Sequence, residues 1–263
     1  MCRLAAYSGP TQSLSKIVID PGHSLVVQSQ LAEEAKLAVN GDGFGLAWYG
    51  DEKAPALYKE IMPAWANPNL IHICRAIRSN NFLAHVRAST FGGASYQNCH
   101  PFTHGQWSFV HNGQIGGFEQ LRRPLEATLP DPLYQMRQGI TDSELLFLLI
   151  VAKGLNHDPQ AAFSAAIDQI ETLRRSYNIQ HPLRLTFVLS DGVQIFATRH
   201  SSDGRAPTLY HSQQMIPGGT VLASEPLDGD HGNWTLLDDG SALQIKGMQV
   251  NKIPVAIGAG LAA

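Results

Sequence analysis

The sequence has no long run of lysine or arginine and only three cysteines. It also has no apolar stretch approaching the roughly 18 residues of a membrane-spanning helix. Each lack excludes something. With no basic tract and a formal net charge of -3, neither nucleic acid nor an anionic membrane is the expected partner. Without a long apolar run, no membrane helix is expected. The opening Met1-Cys2-Arg3-Leu4-Ala5-Ala6-Tyr7 lacks a signal-peptide apolar region and cleavage site, so the expected location is cytoplasmic. An odd, small number of cysteines in such a chain argues against a disulfide framework. No repeat, low-complexity tract or obvious linker divides the sequence, which reads as a single domain over residues 1–263. What is present is globular: 44% hydrophobic residues against 16% charged, enough for a sizeable core.

Strand-like runs recur at Arg3–Ser8, Phe44–Tyr49, Phe82–Ala88 and Trp107–His111. Leu183–Leu189 and Val193–Thr198 flank Ser190-Asp191-Gly192, a hairpin signal. Thr220–Ser224, Trp234–Leu237 and Ala242–Ile245 follow, the last two joined by Asp238-Asp239-Gly240-Ser241. Asn67-Pro68 reads as a helix start, and Cys74 as a small buried residue on that helix. Thr141-Asp142-Ser143-Glu144 has capping-box spacing before Leu145–Ala152. Asp158-Pro159 opens a helix with Ala162, Phe163, Ala166, Ile167, Ile170 and Leu173 on one face. Many strands with a few helices point to stacked α and β layers, an α+β chain.

Few residues carry chemistry. Cys2 is preceded only by Met1 and is small enough to permit methionine removal. Once first, it carries a thiol and an α-amine whose pKa of about 7.7–8.0 suits a general base at neutral pH. Position alone favours an arbitrary second residue. Asn112-Gly113 after the strand Trp107–His111 is first of all a turn signal. The same pair can donate an amide N–H and a backbone N–H to a tetrahedral oxyanion. Arg87 ends an apolar strand, where a structural ion pair competes with a grip on a substrate carboxylate. Asp142 is either an ordinary first-turn residue or a partner for a substrate ammonium. Asn98-Cys99-His100-Pro101 with His104 and His111 has irregular spacing and no second Cys/His pair, so no metal site is expected. Asp42-Gly43-Phe44-Gly45 lacks a phosphate-loop pattern and reads as a turn entering a strand. Nothing calls for a cofactor.

The order of these features is more specific than any one of them. Met1-Cys2 comes first, followed by Asn40-Gly41-Asp42-Gly43-Phe44-Gly45-Leu46-Ala47-Trp48-Tyr49 and then His85-Val86-Arg87-Ala88-Ser89-Thr90. Asn98-Cys99-His100-Pro101-Phe102, His111-Asn112-Gly113 and Thr141-Asp142-Ser143-Glu144 complete the series. Together they strongly resemble the class II (N-terminal nucleophile) glutamine amidotransferases, and Ala223-Ser224-Glu225-Pro226-Leu227 resembles the stand-alone members. The resemblance implies a four-layer α/β/β/α sandwich. It implies Cys2 as nucleophile with its freed amine as base, and Asn112 and Gly113 as oxyanion hole. It further implies Arg87 on the α-carboxylate of a γ-glutamyl group, Asp142 on its α-ammonium, and Thr90 positioning the carboxylate end. In ammonia-channelling synthases a tryptophan commonly follows the arginine and a histidine the threonine; here those places hold Ala88 and Phe91. No synthetase domain is expected after the hydrolase-like region. These details are closer to the stand-alone group that includes the γ-glutamyl amidase of ergothioneine biosynthesis.

The expected activity is therefore hydrolysis of a γ-glutamyl amide through a γ-glutamyl thioester on Cys2, with a small-molecule γ-glutamyl substrate. A glutaminase subunit serving a separate synthetase and a non-catalytic γ-glutamyl-binding module are the rival expectations. A synthetase partner and a homo-oligomer both stay open. The leaving amine is expected to meet Pro124–Gly139 or Asp203–Pro217.

Overall fold

A computed structural model describes residues 2–34, 39–89 and 93–257. Two antiparallel sheets form the frame. The first runs in the order β11 (Thr235–Leu236), β9 (Tyr210–Ser212), β10 (Thr220–Ala223), β1 (Arg3–Ser13), β4 (Arg78–Val86), β2 (Phe44–Trp48) and β3 (Ala56–Glu60). The second runs β13 (Gln249–Pro254), β12 (Ser241–Lys246), β8 (Ile195–Ser201), β7 (Arg184–Ser190), β6 (Trp107–Gln114) and β5 (Phe102–His104). The helices are α1 (Ser15–Val18), α2 (Leu25–Gln30), α3 (Leu70–Ala76), α4 (Phe118–Glu126), α5 (Asp131–Met136), α6 (Asp142–Ala152) and α7 (Pro159–Ser176). The chain is thus α+β.

Period-2 alternation sorts the side chains into separate cores. Along β1, Leu4 and Ala6 pack with Val110, Val188 and Leu243 of the other sheet, while Ala5 and Tyr7 pack with Ile17, Leu25 and Leu70 of the helices. On the far side of the second sheet, Phe109 and Phe187 meet Phe147 of α6 and Phe163 of α7, with ring centroids 5.1–5.9 Å apart. Each such burial is worth about 1.5–3 kcal/mol over exposure. Helix α6 is buried all round from Leu145 to Ile150, as expected of an element covered on every side. That burial fixes its first residue, Asp142, against the end of β6.

Several expectations change. The strand expected at Arg3–Ser8 continues to Ser13, because a register shift between Ser8 and Gln12 absorbs Gly9-Pro10. Proline is tolerated at such an irregularity, where no ladder N–H is needed. The Ser190-Asp191-Gly192 hairpin is present, with Asp191 Oδ1 accepting the N–H groups of Val193 and Gln194. Asn112-Gly113, in contrast, is no turn: both residues lie inside β6, opposite Thr186 and Leu185 of β7. The strands expected near Trp234–Leu237 and Ala242–Ile245 go to different sheets. Asn67-Pro68 forms an Asx turn ahead of α3, Asn67 Oδ1 accepting the N–H groups of Asn69 and Leu70. Cys74 is fully buried, and the α7 face is buried apart from half-buried Leu173.

Tyr49, just past β2, reaches across to the second sheet. Its hydroxyl lies 2.9 Å from the Gln106 carbonyl, 2.6 Å from the Ser190 carbonyl and 2.9 Å from Ser108 Oγ. Tyr49→Phe would strip these buried groups of a partner, at a cost of about 1–3 kcal/mol. Urea unfolding should show a lower midpoint with an unchanged slope; an unchanged midpoint would mean that this bridge does not hold the sheets together.

Candidate active site

The site is assembled by strand register. Arg3 of β1 stands opposite Val86 of β4, so Cys2 and Arg87 lie one residue beyond that pair. Both line a cavity of about 50 Å³ whose walls also include Gly113 of β6 and Asp142 at the start of α6. Four of the six residues proposed from sequence thus meet in one small space. Asn112 lies one step along β6 from this wall and is fully buried. Its side-chain amide nitrogen and oxygen have no hydrogen-bond partner among the described residues. The alternation that puts Leu4 and Val110 in the inter-sheet core directs Cys2 and Asn112 toward the same space. Thr90 lies outside the described residues.

Local interactions hold each wall. Cys2 Sγ is 3.6 Å from the Ala88 carbonyl. Burial pushes the Cys2 thiol above its ordinary pKa, while the nearby charges of Arg87 and Arg3 act in the opposite direction. The thiol is therefore protonated at neutral pH and needs a base to become a nucleophile. Arg87 is buried; its guanidinium donates to Ser89 Oγ at 3.0 Å and to the carbonyls of Asp42 and Gly93 at 3.4 Å. Asp42 holds the same turn from beneath, accepting the Ser89 N–H at 2.7 Å. Gly113 is required by close packing, since a Cβ there would run into the Arg184 carbonyl and His111 Nε2.

Asp142 is not the cap of α6. Thr141 is, its side chain accepting the Glu144 N–H at 3.2 Å. The box is half-formed, because Glu144 accepts instead from the N–H groups of Gln138 and Gly139. Asp142 Oδ2 accepts the Ile115 N–H at 2.8 Å, tying α6 to the exit of β6.

The cavity has two further walls that carried no assigned role in the sequence, His100 and His111. His111 Nδ1 lies 2.9 Å from Ser143 Oγ, and its carbonyl lies 3.1 Å from His85 Nε2. The rings of His85 and His100 are 4.1 Å apart. The only advance signal was their presence in the motifs around Arg87, Pro101 and Asn112. Among the described residues no three His, Cys, Asp or Glu side chains are arranged to hold a metal ion. A cleft of about 330 Å³ adjoins the cavity, sharing Gln114 and Asp142 with it and continuing past Gly117, Phe118 and His181. Neither Pro124–Gly139 nor Asp203–Pro217 lines the cavity or the cleft.

Burial lowers the pKa of all three histidines: His85 to about 3, His111 to about 4, with Asp142 opposing the shift, and His100 well below its usual value. The folded form keeps them neutral, whereas unfolded histidines take up protons below about 6.5. The unfolded state then binds more protons, so stability falls as pH drops through that value. Unfolding free energy should decline from about pH 6.5 to about 5, before most carboxylates titrate. A flat urea-midpoint profile over this window would contradict three buried neutral imidazoles.

Residues 15–211 match the family described as class-II glutamine amidotransferases. The chain is 32% identical to the "Probable glutamine amidotransferase DUG3" of Saccharomyces cerevisiae, covering 97% of this chain and 84% of that one. It is 30% identical to the γ-glutamyl-hercynylcysteine sulfoxide hydrolase of Mycolicibacterium smegmatis, covering 97% and 100%. The solved glutamine aminotransferase class-II domain protein of Silicibacter pomeroyi superposes with a TM-score of 0.76 at 36% identity, over 96% of this chain and 99% of that one.

Proposed function

Because this chain belongs to the class-II glutamine amidotransferases, we propose that it hydrolyses a γ-glutamyl amide through a γ-glutamyl thioester on Cys2. The observation that carries this reading is the cavity that brings Cys2, Arg87, Gly113 and Asp142 together. With Met1 removed, the α-amine of Cys2 takes the thiol proton, and Sγ attacks the γ-carbonyl carbon of the substrate. Asn112 Nδ2 and the Gly113 N–H stabilise the oxyanion. Collapse breaks the C–N bond, and the amine leaves with the proton held by the α-amine. Water, deprotonated by the same amine, then cleaves the thioester, releasing glutamate and restoring the thiol. Arg87 binds the α-carboxylate, Asp142 the α-ammonium, and Thr90 positions the carboxylate end.

The rest of the reading follows from the same assignment. The proposed domain is a single amidotransferase unit over residues 1–263 with four α/β/β/α layers. Three separate cores support that order: one between the sheets and one between each sheet and its helices. The substrate class extends past glutamine to γ-glutamyl conjugates. The adjoining cleft offers room beyond a γ-glutamyl group, and the M. smegmatis relative is named for such a conjugate.

A glutamate-release assay over glutamine, γ-glutamyl dipeptides and a γ-glutamyl sulfoxide conjugate tests this. At least one should be cleaved, and Cys2→Ser should be nearly inactive while folded, because it loses the more acidic and more nucleophilic thiol. Asn112→Ala should lower kcat by roughly 10²–10³-fold with a smaller change in KM, since the oxyanion exists only beyond the ground state. Activity retained by Cys2→Ser would refute the thioester route, and unchanged kcat in Asn112→Ala would leave that residue a buried strand position only.

A further inference from the structure

The segment Ala223-Ser224-Glu225-Pro226-Leu227 has no part in the chemistry above, although it holds an unusually tied carboxylate. Glu225 is 1% exposed. Oε1 accepts from Arg3 Nη1 at 2.9 Å and from the Glu34 N–H at 3.0 Å. Oε2 accepts the Glu33 N–H at 3.0 Å and lies 2.9 Å from His23 Nε2. A carboxylate with that many bonds is held in one orientation. Arg3, also fully buried, turns its other edge toward the site: Nε donates to the Cys2 carbonyl at 2.7 Å. The neighbouring residue reinforces the clamp, as Leu4 N–H donates to Ser224 Oγ and Ser224 N–H donates to the Leu4 carbonyl, both at 3.0 Å.

The pair is an expensive way to hold a strand. Burying two charges costs several kcal/mol per ion before their attraction is counted, and apolar side chains of similar volume hold a fold as well or better. A planar guanidinium does what they cannot, since it donates along two edges in a fixed geometry. Here one edge reads the fixed carboxylate and the other reads the Cys2 carbonyl. We propose that Glu225 is a positioning residue for Cys2, acting through Arg3 to set the orientation of the first peptide unit and hence of the thiol and α-amine. The proposal rests on Cys2 as the nucleophile.

The test uses the full chain and the best γ-glutamyl amide found in the glutamate-release panel. Intact mass checks Met1 removal, and kcat is normalised to the fraction of folded protein, read from near-UV circular dichroism. Glu225→Gln and Arg3→Lys should each lower normalised kcat by about 10- to 100-fold, the scale of a small misplacement of reacting groups, with KM within about twofold of the parent. Arg3→Lys keeps the buried charge but loses the two-edged fork, and it decides the case if Glu225→Gln does not fold. His23→Gln exchanges the imidazole at Glu225 Oε2 for an amide that can still donate, spares the Arg3 link, and should keep the parent kcat. A parent-like normalised kcat in Arg3→Lys, or an equal fall in His23→Gln, would overturn the proposal. Cys2→Ala separates the two claims: if it stays active, the nucleophile assignment fails and the positioning role with it. If it is inactive while Arg3→Lys is unimpaired, the positioning role alone fails.

Discussion

The structure depends on the placement of β1 in the interior of a sheet, paired on one side with β4 and on the other with β10. A first strand at a sheet edge would leave its opening residue free to fray. An interior one is held by two ladders, so Cys2 leaves the sheet in a direction set by Val86 and by the Ala5–Ala223 pair. The ladder with β4 also brings Arg87 alongside. The second sheet faces this point with the end of β6, and α6, buried from Ser143 to Ile150, delivers Asp142 to it. The site is thus a meeting of element ends whose positions are fixed by cores elsewhere.

Such a site is costly in polar burial. His85, His100 and His111 are buried as neutral rings, Asn112 has both side-chain polar atoms unpartnered among the described residues, and Arg3 and Glu225 are buried as charges. An unpartnered buried amide or imidazole nitrogen costs about 1–3 kcal/mol, which the aromatic and aliphatic cores on either side must offset. Groups left unmatched beside a cavity are the ones a ligand can satisfy. Asn112, one residue from Gly113 in the cavity wall, is such a group.

How much of this was legible in the sequence differs between frame and site. The central strands and α6 and α7 carry strong apolar patterns and stand close to where their patterns put them. The strands β3, β5, β9 and β13 were not legible: β3, β5 and β13 are sheet edges, where a short or solvated strand shows no clear alternation, and β9, between β11 and β10, has only the three residues Tyr210–Ser212. Asn112-Gly113 has the strongest local turn signal in its region, yet sheet pairing with β7 overrides it. The meeting of Cys2, Arg87, Gly113 and Asp142 came from motif order, not from any local pattern. The Arg3–Glu225 contact spans 222 positions, a separation at which a single sequence offers no signal. The histidine cluster was visible only as residue types without a role.

In the proposed reaction Cys2, freed of Met1, is both nucleophile and base. Acid quenching during turnover of a γ-glutamyl substrate, followed by intact-mass and peptide analysis, tests it directly. The expected product is a γ-glutamyl adduct on the thiol of Cys2, in protein that begins at that residue. A γ-glutamyl adduct on another residue, or full turnover by protein that retains Met1, would contradict it.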